Sequence, residues 1–244
     1  MIADKWTRPA FYALPAGGWQ DYVTLLHPPY TLWLLAYVVL GAAAAPTLAP
    51  ARLAGTLIAF FLAVGISAHA FDELKGRPLG TRIPSRVLWV LGVGSLAGSL
   101  GLGIAGSFVI SPWLGLFVAF GLFIVPAYSL ELAAGRFHSG LWFVASWGAF
   151  PFLTSYWVSA GRLGVGAVVV AIACATISLA QHRLSARVRA IRRRAIEVQG
   201  VVTYRDGTVE PVTPATLLAA PEAALRWLSV SVVLLAVGWL ALRW

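Results

Sequence analysis

Long apolar runs, broken by short clusters of proline, glycine and charge, divide this chain from about residue 30 onward. A helix crossing the hydrocarbon layer of a membrane needs about 20 apolar residues, because every backbone polar group must be satisfied within the segment. Seven stretches approach that length, some only with their flanks: roughly 30–48, 52–71, 87–107, 112–130, 140–160, 163–180 and 227–242. Between them fall Pro46 and Pro50, Pro78 and Pro84, Pro112, Gly135, Gly161 and Gly164, which suit tight helix–helix turns. The expected fold class is all-α, a multispan transmembrane helical bundle of about seven spans.

One stretch breaks this pattern. Between residues 181 and 226 the chain is basic and polar, and Val201–Glu210 sets β-forming residues around an Asp206-Gly207 turn, which predicts a short hairpin. Thr213-Pro214 is a helix start, and residues 215–225 read as an amphipathic helix lying on the membrane surface before the last span. The organisation expected is a cytoplasmic or interfacial segment (1–29), a six-span bundle (30–180), a basic cytoplasmic segment (181–226) and a final transmembrane helix (227–244).

Composition agrees with the bilayer as solvent. Of 244 residues, 59% are hydrophobic and only 11% charged, and the mean hydropathy is +0.82, outside the range of ordinary soluble domains. Cys174 is the single cysteine, so no internal disulfide forms. The aromatic and polar character of residues 1–29 predicts no cleaved signal peptide. The net charge of +9 follows from topology. Lys5, Arg8, Lys75, Arg77, Arg82, Arg86, Arg136 and the Arg-rich segment after Arg183 fall on one side, while the other holds little more than Arg52, Arg162 and Arg243. By the positive-inside rule the N-terminus is cytoplasmic, in a cell inner or plasma membrane, and no nucleic-acid partner is needed to explain the charge. The run 187–194 serves either this topology alone or contact with anionic headgroups.

The nine acidic residues are few enough to weigh singly. Asp4, Asp21, Glu197, Asp206, Glu210 and Glu222 read as ordinary solvated carboxylates. Asp72, Glu73 and Glu131 instead end the second and fourth spans, where a carboxylate needs water, a cation or a ligand. On a helix His69, Asp72 and Glu73 have i, i+3 and i+4 spacing and share a face, suited to a hard cation and, through it, phosphate. Arg77 and Arg82 follow in a Gly/Pro loop and match phosphate oxygens. Tyr128 and Glu131 lie one turn apart on the same membrane side, followed by Arg136 and His138. A His/carboxylate transition-metal site drawing on His69, His138 and His182 is also conceivable from parity, although satisfied polar histidines are the commoner outcome.

The stretch 68–84, AHAFDELKGRPLGTRIP, resembles the first Asp-rich motif and cap loop of the UbiA superfamily of intramembrane prenyltransferases, with Arg77-Pro78 in the place of that loop's Arg-Pro. Residues 141–151, LWFVASWGAFP, are similar to the family's Gly/Trp-containing fifth helix. The resemblance covers about residues 20–190. It implies an isoprenoid diphosphate held through Mg²⁺ on Asp72 and Glu73, with Asp72, Glu73, Tyr128 and Glu131 at the reacting centre. Arg77, Arg82, His69 and Arg136 would bind the substrate, and a lipophilic acceptor would attack in a cavity open to lipid. The chain departs from the family pattern where Ala68 and Gly76 replace Asn and a second Asp. It departs again in residues 178–187, which contain no carboxylate in place of the second Asp-rich motif. Two outcomes are compatible with these departures. In the first, chemistry continues with arginines after span six replacing the second cation. In the second, a non-catalytic protein binds an isoprenoid, quinone or carotenoid, or serves as an accessory subunit of a membrane complex.

Overall fold

In a computed structural model, which describes residues 8–243, the chain is mostly helical. Asp4 and Lys5 lie outside the described residues. Helix α1 (Trp19–Leu25) turns at His27 into α2 (Pro28–Ala44), with a bend of 44° between them. Then follow α3 (Pro50–Leu74), α4 (Ser85–Val109), α5 (Leu114–Ser129), α6 (140–160), α7 (Val165–Arg194) and α8 (Pro214–Ala241). Four of these, α3, α4, α7 and α8, are long and apolar enough to cross a membrane, and the bent pair α1 and α2 raises the number to five. Helix α5 is a shorter apolar helix. The chain is thus an all-α bundle with the lengths and surface of an integral membrane protein.

Their surfaces agree with that setting. Val90, Phe108, Val109, Leu116, Val169, Ile172 and Leu234 are exposed, and α4 buries only Leu88 and Gly92. An outward apolar face of this extent suits lipid rather than water. Inside, small residues let backbones approach. A Cβ on Gly41 of α2 would lie 2.3 Å from the Phe152 carbonyl of α6, and one on Gly148 would lie 2.8 Å from the backbone of Ala175 on α7. Around these contacts Trp33, Tyr37, Phe152 and Cys174 form the centre of the core, with the Tyr37 hydroxyl donating to the Cys174 carbonyl at 3.1 Å.

Three expectations change. The surface helix and the last span form one helix, α8, which runs through Pro221. Thr213 caps it, accepting from the Thr216 N–H at 3.2 Å while the Thr216 hydroxyl accepts from Thr213 N–H at 2.9 Å. Glu222 is buried and paired with Arg192 at 2.5 Å rather than solvated. Asp21 is buried as well, accepting from the backbone N–H of Gly17 at 2.9 Å and of Arg82 at 2.8 Å. Both carboxylates are held at chain crossings, which a one-dimensional reading of span ends does not reveal. Residues 201–211 form an antiparallel hairpin with Val202 opposite Glu210. Its Asp206 carboxylate accepts from Thr208 N–H at 2.9 Å, which holds that carboxyl below its ordinary range.

Two helices contain wide π turns: α3 over Phe61–Ala68 and α6 over Val144–Ala149. Such turns are rare and frequently mark functional sites. Both border the cavities described next.

Candidate functional site

The start of α2, the ends of α3, α5 and α7, and the N-terminal segment meet at one end of the bundle around a polar cavity of about 360 Å³. All four histidines of the chain line it. The His69 Nδ1 lies 3.1 Å from the Gly65 carbonyl and the His138 Nδ1 lies 3.1 Å from the Tyr128 carbonyl. A carbonyl only accepts, so each Nδ1 carries a proton, and in the neutral imidazole Nε2 is then the acceptor. His27 stacks on His69, with ring centroids 4.0 Å apart, and its buried Nε2 has no hydrogen-bond partner among the described residues.

Backbone strain gathers at the same place. Among the described residues, the non-glycine residues with positive φ are His27, Arg77, Glu131, Ala133 and Ala134, and every one lies in a segment bordering this cavity. Left-handed conformations at such residues persist where surrounding structure imposes them, and they concentrate at functional sites.

Asp72, His69, Tyr128 and Glu131, singled out in the sequence, line the cavity. Asp72 is half-buried, and its electrostatic neighbours include Ser129, His138 and Arg189. Glu131 sits at the rim, 3.8 Å from Lys75.

Glu73 does not join them. Its fully buried carboxylate accepts from Leu79 N–H at 3.0 Å, Thr81 N–H at 2.8 Å and the Thr81 hydroxyl at 2.9 Å. Neighbours on a helix point about 100° apart, so Asp72 and Glu73 face different surroundings. Glu73 is the anchor of the loop after α3. Arg77 also serves that loop, donating to the Ile83 carbonyl at 2.5 Å and to the Ser85 hydroxyl at 2.9 Å. Arg82 and Arg136 are exposed and line no part of the cavity.

The sequence reading missed several lining residues. Gln181, Ser185, Arg189 and Arg193 form an i, i+4 stripe along α7 that faces the cavity. That spacing was visible in the sequence. Tyr12, from the N-terminal segment, covers the cavity beside His27. Burial holds its phenol well above the ordinary tyrosine range, so it stays a hydrogen-bond donor.

Val64 and Trp147, one from each π turn, also border a second cavity of about 360 Å³. It lies between α3, α4, α5 and α6 and is lined by residues such as Gly55, Gly103, Phe117, Gly121 and Phe150. Its lining is almost wholly apolar.

Mg²⁺ is held by one or two carboxylates together with substrate phosphates and water. The residues present do not build such a site. Glu73 is committed elsewhere, Glu131 faces Lys75, and no group of three or more His, Cys, Asp or Glu among the described residues is placed to hold a metal ion. Two arginines in the same cavity further oppose a divalent cation. Comparison of the chain with protein-family models, curated proteins and solved structures finds no match.

Proposed function

We propose that this chain is a divergent, UbiA-like integral membrane protein of about seven spans that acts on an isoprenoid diphosphate and a lipophilic acceptor. The observation that carries the reading is the pair of adjoining cavities. One is polar and charged, the other is apolar, and Val64 and Trp147 stand between them. An amphiphile with an anionic head and a hydrocarbon tail matches both linings, and the apolar outer surface leaves lipid as the source of such a molecule.

In this reading the head lies at the arginine end and the allylic carbon lies near Asp72 and Tyr128. The Asp72 carboxylate and the Tyr128 ring stabilise the positive charge that develops as the diphosphate leaves. The acceptor's proton passes to a histidine Nε2, for which His69 and His138 are both correctly protonated at Nδ1. The basic end of the bundle faces the cytoplasm by the positive-inside rule.

A non-catalytic isoprenoid-binding or accessory role is the second reading. It is favoured by Gln181, Ser185 and the arginines standing where diphosphate-metal chemistry would call for carboxylates. Purified protein incubated with isoprenoid diphosphates and quinone-type acceptors separates the two. Release of diphosphate with formation of a prenylated product supports catalysis. A co-purifying isoprenoid or pigment without diphosphate release supports the binding role, and neither product nor hydrophobic ligand overturns both.

A further inference from the structure

Arg189 and Arg193 are half-buried cations with no carboxylate within ion-pair distance among the described residues. Their geometry is nonetheless fixed. The Arg189 Nη1 donates to the Ser185 hydroxyl at 2.8 Å, and the Arg193 Nε donates to the Pro9 carbonyl at 3.1 Å. Beyond those bonds no acceptor among the described residues takes the remaining N–H groups of either guanidinium. Burying an unpaired charge is costly, and proteins keep such charges where a ligand completes them.

The surroundings select the sign and shape of that ligand. Lys75 and Glu131 compensate each other at the rim, so among the described lining residues Asp72 is the one carboxylate left facing two arginines, and their balance is positive. Gln181 and the neutral Tyr12 phenol add donors without adding negative charge. Arg189 and Arg193 stand one helical turn apart on α7 and present forked N–H groups, which match phosphate oxygens in bidentate fashion.

The geometry points to a metal-independent phosphate site: Arg189 and Arg193, with Gln181 and Tyr12, bind a phosphate or diphosphate group directly, in place of a carboxylate-held divalent cation. Phosphate esters in general are the ligand class. The inference deepens the function proposed above and rests on it only for the isoprenoid nature of the tail.

The test uses the full chain in phosphatidylcholine nanodiscs, titrated calorimetrically with inorganic pyrophosphate and separately with farnesyl diphosphate, in excess EDTA and in Mg²⁺. Binding that persists in EDTA and weakens about tenfold or more in Arg189→Gln and in Arg193→Gln is the expected result. Arg189→Lys and Arg193→Lys recover part of the loss, and Arg187→Gln, exposed on the same helix and outside the cavity lining, changes affinity less than about twofold. Because Arg193 also holds the N-terminal segment, thermal unfolding of each variant accompanies the titrations. Arg189→Gln, whose partner is a hydroxyl on its own helix, supplies the result if Arg193→Gln unfolds.

Farnesyl diphosphate bound in an arginine-dependent way while pyrophosphate is not assigns the phosphate to a lipid substrate and supports the site. Binding that requires Mg²⁺, or that is indifferent to both arginines, overturns it. Farnesyl diphosphate binding no tighter than pyrophosphate, with arginine dependence intact, sinks the isoprenoid reading and leaves the anion site standing.

Discussion

Two cavities of about 360 Å³ each adjoin in this bundle, and α3 serves both. Its Phe60 faces carbon-lined space, Val64 borders both cavities, and Ala68, His69 and Asp72 further on face histidines, tyrosines and arginines. The change occurs across the π turn at Phe61–Ala68, opposite the second π turn at Val144–Ala149 on α6. A wide turn shifts the angular position of everything after it, so one helix can present an apolar stripe to one cavity and a polar stripe to the next. The contrast teaches that position along a helix and direction around it carry separate information. Asp72 and Glu73 show the same thing at the scale of adjacent residues.

The largest expected effect tests the polar side of this comparison. Asp72→Asn lowers turnover of an isoprenoid diphosphate by about a thousand-fold, the range for loss of a group acting in the transition state, with the unfolding midpoint nearly unchanged. Wild-type turnover in that variant would remove Asp72 from the reacting centre. Glu73→Ala behaves in the opposite manner. It strands the buried N–H groups of Leu79 and Thr81 and costs about 3 kcal/mol of stability, visible as a lowered thermal midpoint. A variant as stable as the wild type would deny Glu73 its anchoring role.

On the apolar side, a Cβ on Gly121 would meet only the edge of the Phe150 ring, at 3.8 Å. Gly121→Leu therefore fills space in the apolar cavity and weakens binding of a long isoprenoid diphosphate about tenfold, about 1.4 kcal/mol, while pyrophosphate affinity stays the same. Equal loss for both ligands would mean that the cavities do not divide head from tail. The smallest effect concerns the strained rim. Ala133 has φ of 53°, so Ala133→Gly relieves a left-handed backbone and raises stability by up to about 1 kcal/mol. A lowered midpoint would show that the turn is not strained at Ala133.

Much of the architecture was legible along the chain, because apolar runs of membrane-crossing length leave few alternatives to helices. The same logic places Asp72, Tyr128 and Glu131 at helix ends on one side. Of the seven predicted stretches, four fall among the described residues in helices long and apolar enough to cross a membrane, or five if the bent pair is one span, and 112–130 falls on a shorter apolar helix. Helix α8 absorbs the expected surface helix because Glu222, Leu218 and Leu225 dock on the end of α7 through Arg192, Val188 and Ile191. The candidate site was legible only in part. The i, i+4 stripe of Gln181, Ser185, Arg189 and Arg193 was present in the sequence, but the abundance of arginine nearby made topology a sufficient account of it.

By itself the sequence determined that this chain is helical, with apolar runs long enough to cross a membrane, basic segments between them, a short hairpin at Asp206-Gly207, and few carboxylates available for chemistry. Those properties follow from composition, run length and local turn preference, which act on neighbouring residues. Tertiary structure alone decided that Asp72 faces a cavity while Glu73 holds a loop, that His27 stacks on His69, and that Arg189 and Arg193 turn inward with no carboxylate in ion-pair distance among the described residues. Each of these depends on direction around a helix and on segments up to 184 residues apart, as where Arg193 meets Pro9. Periodicity specifies a face, but only packing against neighbours specifies what that face meets.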